Sequence, residues 1–167
     1  MRTKTLLLTL SLVVGCFFAA HAQSTYKSAI GLRAGFPPAV SFKQFISDQG
    51  AIEAFAGFYP FASAYNWFTI GAMYQHHFPI GSIEGFQWYV GGGASMQVWA
   101  YKYALDKDRY GNLSFGLIGV GGVDYKFSQI PLNVSADFMP TVLIGSNLYY
   151  TSAFRGYAGA SVRYTFR

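Results

Sequence analysis

His76 and His77 stand next to each other, and both lie beyond the N-terminal apolar segment. Adjacent residues on an extended strand project to opposite faces, so the two imidazoles do not converge on one metal ion. No second ligand at a metal-binding spacing flanks them. Asp106 and Asp108 are the densest acidic pair, but Lys107 and Arg109 interleave with them in "ALDKDRYGN". That pattern reads as a solvated loop, not a calcium site. Gly91, Gly92 and Gly93 run consecutively in "YVGGGASMQ". A phosphate-cradling loop would need a following Lys-Ser/Thr pair and a strand-to-helix context, and neither is there. Glycines of this kind in a strand allow tight coiling or a large cross-strand neighbour. On these residues we assign no catalytic group, no cofactor-binding residue and no metal ligand.

The remaining charges fall at regular places, which turns attention to the elements carrying them. Apolar residues recur at every second position through most of the chain, the period of a strand with two different faces. In "YKSAIGLRAGF", Ile30, Leu32, Ala34 and Phe36 oppose Lys27, Gly31, Arg33 and Gly35. In "GYAGASVRYTFR" and the residues just before it, Phe154, Gly156, Ala158, Ala160, Val162, Tyr164 and Phe166 oppose Arg155, Tyr157, Gly159, Ser161, Arg163 and Thr165. The same alternation appears over residues 39–46, 51–61, 67–78, 86–103, 113–127 and 132–144. It predicts eight strands separated by turn-forming segments. Pro60 and Pro140 fall inside two of them and mark expected bulges or rims.

Composition decides which face meets the surroundings. Charged residues make up 11% and aromatic residues 19% of the 167 residues; soluble domains carry about 25% charge. The net charge of +5 is spread among aromatics and glycines, which argues against a nucleic-acid surface. The N-terminus reads as a signal peptide over residues 1–22: Arg2 and Lys4, then an apolar run, then Ala20-His21-Ala22. The run is too short to span a bilayer as a helix. Cys16, the only cysteine, leaves with that segment, so the exported chain has no disulfide and no thiol ligand. Residues 23–167 then form one domain. An even set of weakly marked alternating strands is the pattern of a transmembrane barrel, which satisfies every backbone group without an edge. The predicted fold is all-β: an eight-stranded antiparallel up-and-down barrel with its apolar face in lipid. A soluble barrel with the apolar face inward is the alternative; too little charge is left elsewhere to cover it.

On that fold the charged faces point into a lumen only wide enough for side chains to fill. The expected lumen network is Arg33, Lys43, Glu53, Asp124, Lys126, Asp137, Arg155 and Arg163. Lys43 and Glu53 flank one turn at similar distances, so a cross-strand pair is expected there. Asp124 and Asp137 flank another, near Arg155 or Arg163. Three acids against a larger set of bases, Lys27 among them, leave an expected excess of positive charge. Tyr26, Phe78, Phe86, Trp88, Tyr125, Phe127, Tyr164 and Phe166 are expected to form an aromatic girdle at the periplasmic interface. Phe36, Phe58, Phe68, Phe115 and Phe154 would form the opposite one.

With these features the chain resembles the small eight-stranded outer-membrane proteins of the OmpA and OmpX type, over roughly residues 26–167. The resemblance implies residence in the outer membrane of a Gram-negative bacterium, as a monomer in contact with outer-membrane lipid and lipopolysaccharide. It also implies insertion by the barrel-assembly machinery, which reads terminal aromatics of this kind; here Arg167 follows Phe166. Some proteins resembling this one modify lipid A with a histidine, a serine and an acid. His76 has only Tyr74 and Phe78 as alternate neighbours, so the expectation is a non-enzymatic structural or surface-interaction protein with a filled lumen. A narrow ion or small-solute channel is the alternative.

Overall fold

The computed structural model describes residues 26–35, 38–59, 65–81, 83–101, 112–145 and 154–166. The signal-peptide reading, Phe36, Pro60 and the longer loops concern residues outside this set. Eight strands follow one another: β1 (Ser28–Gly35), β2 (Ala39–Phe45), β3 (Gly50–Tyr59), β4 (Tyr65–Pro79), β5 (Phe86–Tyr101), β6 (Asn112–Lys126), β7 (Leu132–Gly145) and β8 (Phe154–Phe166). Each pairs antiparallel with the next, and β8 returns to β1 to close the barrel. Closure leaves the sheet without an edge.

The alternation places the side chains. Leu32, Phe58, Phe68, Phe115, Leu117, Phe138, Phe154 and Val162 are exposed on the outer wall, Leu32 at 68%. The buried set is largely polar: Arg33, Lys43, Glu53, Gln75, His77, Asp124, Asn133, Asp137 and Arg163 are all under 9% exposed. An outer wall this apolar around a polar interior suits a chain whose solvent is lipid.

The barrel has two different ends. Residues 46–49, 80–81 with 83–85, and 127–131 lie in short turns at one of them; the remaining connections leave from the other, here termed the loop end. In the first turn Ile46 and Ser47 both donate backbone N–H groups to Gly50 O. In the second, Gly81 and Gly85 take positive φ values of 56° and 81°, a backbone region that glycine enters without steric cost.

Pro140 does not produce the expected bulge. The β6–β7 register is the same on either side of it, Ile118↔Thr141 and Gly121↔Phe138, with the ladder interrupted only between those pairs. The β7–β8 ladder runs through Pro140↔Gly156 without a break. The proline therefore turns its missing donor towards β6. Gly119 there leaves room for the ring: a Cβ at Gly119 would lie 3.2 Å from Pro140 Cγ.

Candidate functional site

The interior is built in three levels. At the turn end, Tyr26, Ala29, Phe45 and Ala51 pack into a small cluster. Tyr26 meets Phe45 edge-on with ring centroids 5.0 Å apart, and its phenol donates to Asp124 Oδ2 at 3.4 Å. His77 lies against Phe45 and stacks on Tyr89, each 4.9 Å between ring centroids. Its Nδ1 is 3.1 Å from Gln87 Oε1.

The middle level is a network to which all eight strands contribute. Arg33 from β1 holds Asp137 from β7 with both terminal nitrogens. Tyr89 from β5 donates to the same carboxylate at 2.7 Å. Lys43 from β2 reaches Asp124 of β6 at 3.0 Å and lies 4.7 Å from the centre of the Tyr89 ring. Asn133 donates to Asp124 at 2.6 Å. Arg163 from β8 pairs with Glu53 of β3 and donates to Ser41 Oγ at 2.9 Å and Ser135 Oγ at 2.8 Å. Gln75 of β4 completes the shell of Glu53 at 2.7 Å. A buried charge survives only when it is paired and hydrogen-bonded. Here three cations meet three carboxylates, and each carboxylate takes at least one further donor.

Above this level, towards the loop end, apolar side chains mix with the buried Thr69, Ser95, Gln97 and Thr141. Ala39, Phe55, Trp67, Met73, Tyr89, Ile118, Val120, Met139 and Tyr157 form one cluster. Trp67 and Tyr157 lie 6.1 Å apart between ring centroids. Strand alternation alone puts Phe55, Met73, Tyr89 and Tyr157 on the inward face, whereas Ile118 and Val120 stand among glycines that mark neither face. The interior thus keeps its ion pairs in the middle level, with apolar and neutral polar side chains mixed towards both ends.

Several expectations need correction. Lys43 and Glu53 are direct register partners, yet each forms its ion pair across the lumen, because long side chains in a narrow barrel reach the far wall. Asp124 and Asp137 pair with Lys43 and Arg33, not with Arg155 or Arg163. Lys126 lies at the rim, where its ammonium donates to the carbonyls of Phe127 and Ile130. Arg155 is half-buried near the loop end, opposite Thr141. Lys27 is exposed. With Lys27, Lys126 and Arg155 outside the network, its charges balance. Tyr26 leaves the girdle as well. It precedes β1, where the chain is no longer bound to strand alternation, and it folds under the barrel mouth.

The other girdle residues lie on the outer wall at the turn end. Phe78 stacks on Trp88 at 4.3 Å, Tyr125 meets Phe86 and Phe127 edge-on, and Tyr164 stacks with Phe166. His76 belongs to the same band: it packs edge-on against Phe78, with Nδ1 3.1 Å from Tyr74 Oη. Among the described residues no three His, Cys, Asp or Glu side chains come together as metal ligands would.

A closed eight-stranded wall with apolar residues outside and a neutralised polar core defines a small barrel of the outer-membrane kind. Two solved structures share that fold. The chain is similar to the Neisserial surface protein A (NspA), with a TM-score of 0.59 at 20% identity over 83% of this chain and 93% of that one. It is similar also to the N-terminal β-barrel domain of Pseudomonas aeruginosa OprF, with a TM-score of 0.58 at 17% identity over 86% and 98%. The chain thus has the fold of the small OmpA- and OmpX-type barrels. No protein-family model matches it, and no curated protein matches it in sequence.

Proposed function

We propose that residues 1–22 direct export and are removed, and that residues 23–167 are a non-enzymatic barrel of the outer membrane. Its lumen is closed and its role is structural or one of surface interaction. The turn end faces the periplasm, and the aromatic band over Phe78, Phe86, Trp88, Tyr125, Phe127, Tyr164 and Phe166 lies at that interface. Tyr and Trp favour this depth because one end of the ring is apolar and the other polar. Lipid surrounds the wall, lipopolysaccharide meets the loop end, and the assembly machinery inserts the chain through its last strand. A monomer is sufficient, since the wall closes on itself.

One observation carries the closed-lumen reading. Trp67, Arg163, Tyr89, Lys43, Met73, His77, Gln75 and Glu53, from every level of the interior, are fully buried. An ion crossing the barrel would have to displace several of them. The test is to purify the protein from the outer-membrane fraction, measure its mass and record its conductance in a planar lipid bilayer. The expected result is a chain starting at Gln23 that inserts without steady conductance. Discrete, reproducible openings would replace this reading with the channel. Recovery in a soluble fraction would overturn the membrane assignment itself.

A further inference from the structure

Three polar side chains converge on the outer wall at the turn end, on a surface otherwise made for lipid tails. Tyr74 is 43% exposed, and its hydroxyl is 3.1 Å from His76 Nδ1. Across the β3–β4 pair, Gly50 stands opposite His76. A Cβ built on Gly50 would lie 2.7 Å from Ser47 Oγ and 2.9 Å from Tyr74 Oη. The two hydroxyls therefore close over Gly50, which is buried and has no side chain to hold them apart. Ser47 Oγ accepts the Gly50 N–H at 2.9 Å, which leaves the hydroxyl proton free to donate outward. Asp48 follows Ser47 and is exposed. Phe78 and Trp88 stack beside His76 and fix this patch at the depth where headgroups lie.

We propose that Ser47, Tyr74 and His76 form a binding site for one phospholipid headgroup of the periplasmic leaflet. Ser47 supplies one hydrogen-bond donor to the phosphate oxygens and the Tyr74–His76 pair a second. Whichever of those two donates to the other, a single proton, on the phenol or on Nε2, is left to face outward. Asp48 supplies the negative charge that draws the headgroup ammonium, which selects an ethanolamine phospholipid over a glycerol one. Phosphate alone would be repelled by Asp48, so the ligand chemistry is the zwitterion and the source is a membrane lipid. The acyl chains run along Ile52 and Val90, both exposed on the wall next to this site. This site rests on the membrane reading above, because the patch has a headgroup to meet only if the wall is in a bilayer.

The test is native mass spectrometry of the protein released from nanodiscs holding equal phosphatidylethanolamine and phosphatidylglycerol. The wild type is compared with Tyr74→Phe/His76→Asn, with Asp48→Asn, and with Tyr125→Phe, two strands away in the same band. Ser47 is left in place because it holds the turn. The expected wild-type spectrum has one retained phosphatidylethanolamine in excess over phosphatidylglycerol. The double variant should lose at least about tenfold of that occupancy, which corresponds to about 1.4 kcal/mol. Asp48→Asn should lose the preference between the two lipids, and Tyr125→Phe should behave as wild type. Equal retention of the two lipids by the wild type, or equal losses in Tyr125→Phe and the double variant, would overturn the site and leave the membrane reading intact. A wild-type chain that fails to enter nanodiscs would overturn both.

Discussion

Glu53 is held from two sides: Arg163 crosses the lumen to one carboxylate oxygen and Gln75 donates to the other. Neither ion is near water, so each depends on the other for its charge. Exchanging Glu53→Gln keeps the shape and leaves the Arg163 guanidinium buried without its counter-ion. Breaking a buried pair from one side costs about 3–5 kcal/mol, whereas replacing both partners with apolar groups is often nearly neutral. In urea unfolding from lipid vesicles, Glu53→Gln is expected to lose about that much, and Glu53→Leu/Arg163→Met clearly less. A double variant as unstable as the single one would mean that Arg163 acts mainly through Ser41 and Ser135. The sequence exposed these residues by face and not by partner. Alternation sends Arg33, Lys43, Glu53, Asp124, Asp137 and Arg163 inward, but the strand register suggests a Lys43–Glu53 pair. Partner choice depends on side-chain reach across the lumen, a distance that appears only once the barrel is closed.

Strands β4 and β5 come closest at the glycine run. A Cβ on Gly91 would lie 1.8 Å from the carbonyl oxygen of Tyr74, and one on Gly93 would lie 2.1 Å from that of Ala72. Both obstacles are backbone, so no side-chain rotation relieves them. Gly91→Ala must push the two strands apart, at a cost at or above the upper end of the about 1–3 kcal/mol usual for overpacking. Gly121 is the matched control, because the nearest atom to its Cβ would be 3.9 Å away. Gly121→Ala is expected within about 0.5 kcal/mol of wild type. The measurement is the refolded fraction, read as the compact band on an unheated gel. Equal yields for the two variants would mean that β4 and β5 part easily. The elements themselves were largely legible: residues 86–103 and 132–144 against Phe86–Tyr101 and Leu132–Gly145. Alternation carries that information because one face must meet lipid and the other must not. It fails at Tyr26, ahead of the first strand. It is silent on the run Ile118 to Gly122, where three of five residues are glycine and neither face looks distinct.

For the whole barrel, the closed lumen proposed above amounts to two unlike seals in series. The middle level excludes ions by filling the cross-section with paired charges, and its net charge is zero. The loop-end level narrows the path with Phe55, Trp67, Met73, Ile118, Val120 and Met139, an uncharged constriction in which Thr69, Ser95, Gln97 and Thr141 are the buried polar groups. Emptying one level should therefore leave the other closed. Glu53→Ala/Arg163→Ala removes a charge pair without leaving a lone ion, yet it should insert into a planar bilayer without conducting. Trp67→Ala/Met73→Ala should also remain silent, because the ion-pair level is still intact below it. Only the four-fold variant joins the two emptied levels into one water-filled path, and steady openings are expected from it alone. If Glu53→Ala/Arg163→Ala conducts by itself, the loop-end level is no barrier and the charge network is the gate. That outcome would move the barrel from a closed structural element towards a channel held shut by three ion pairs.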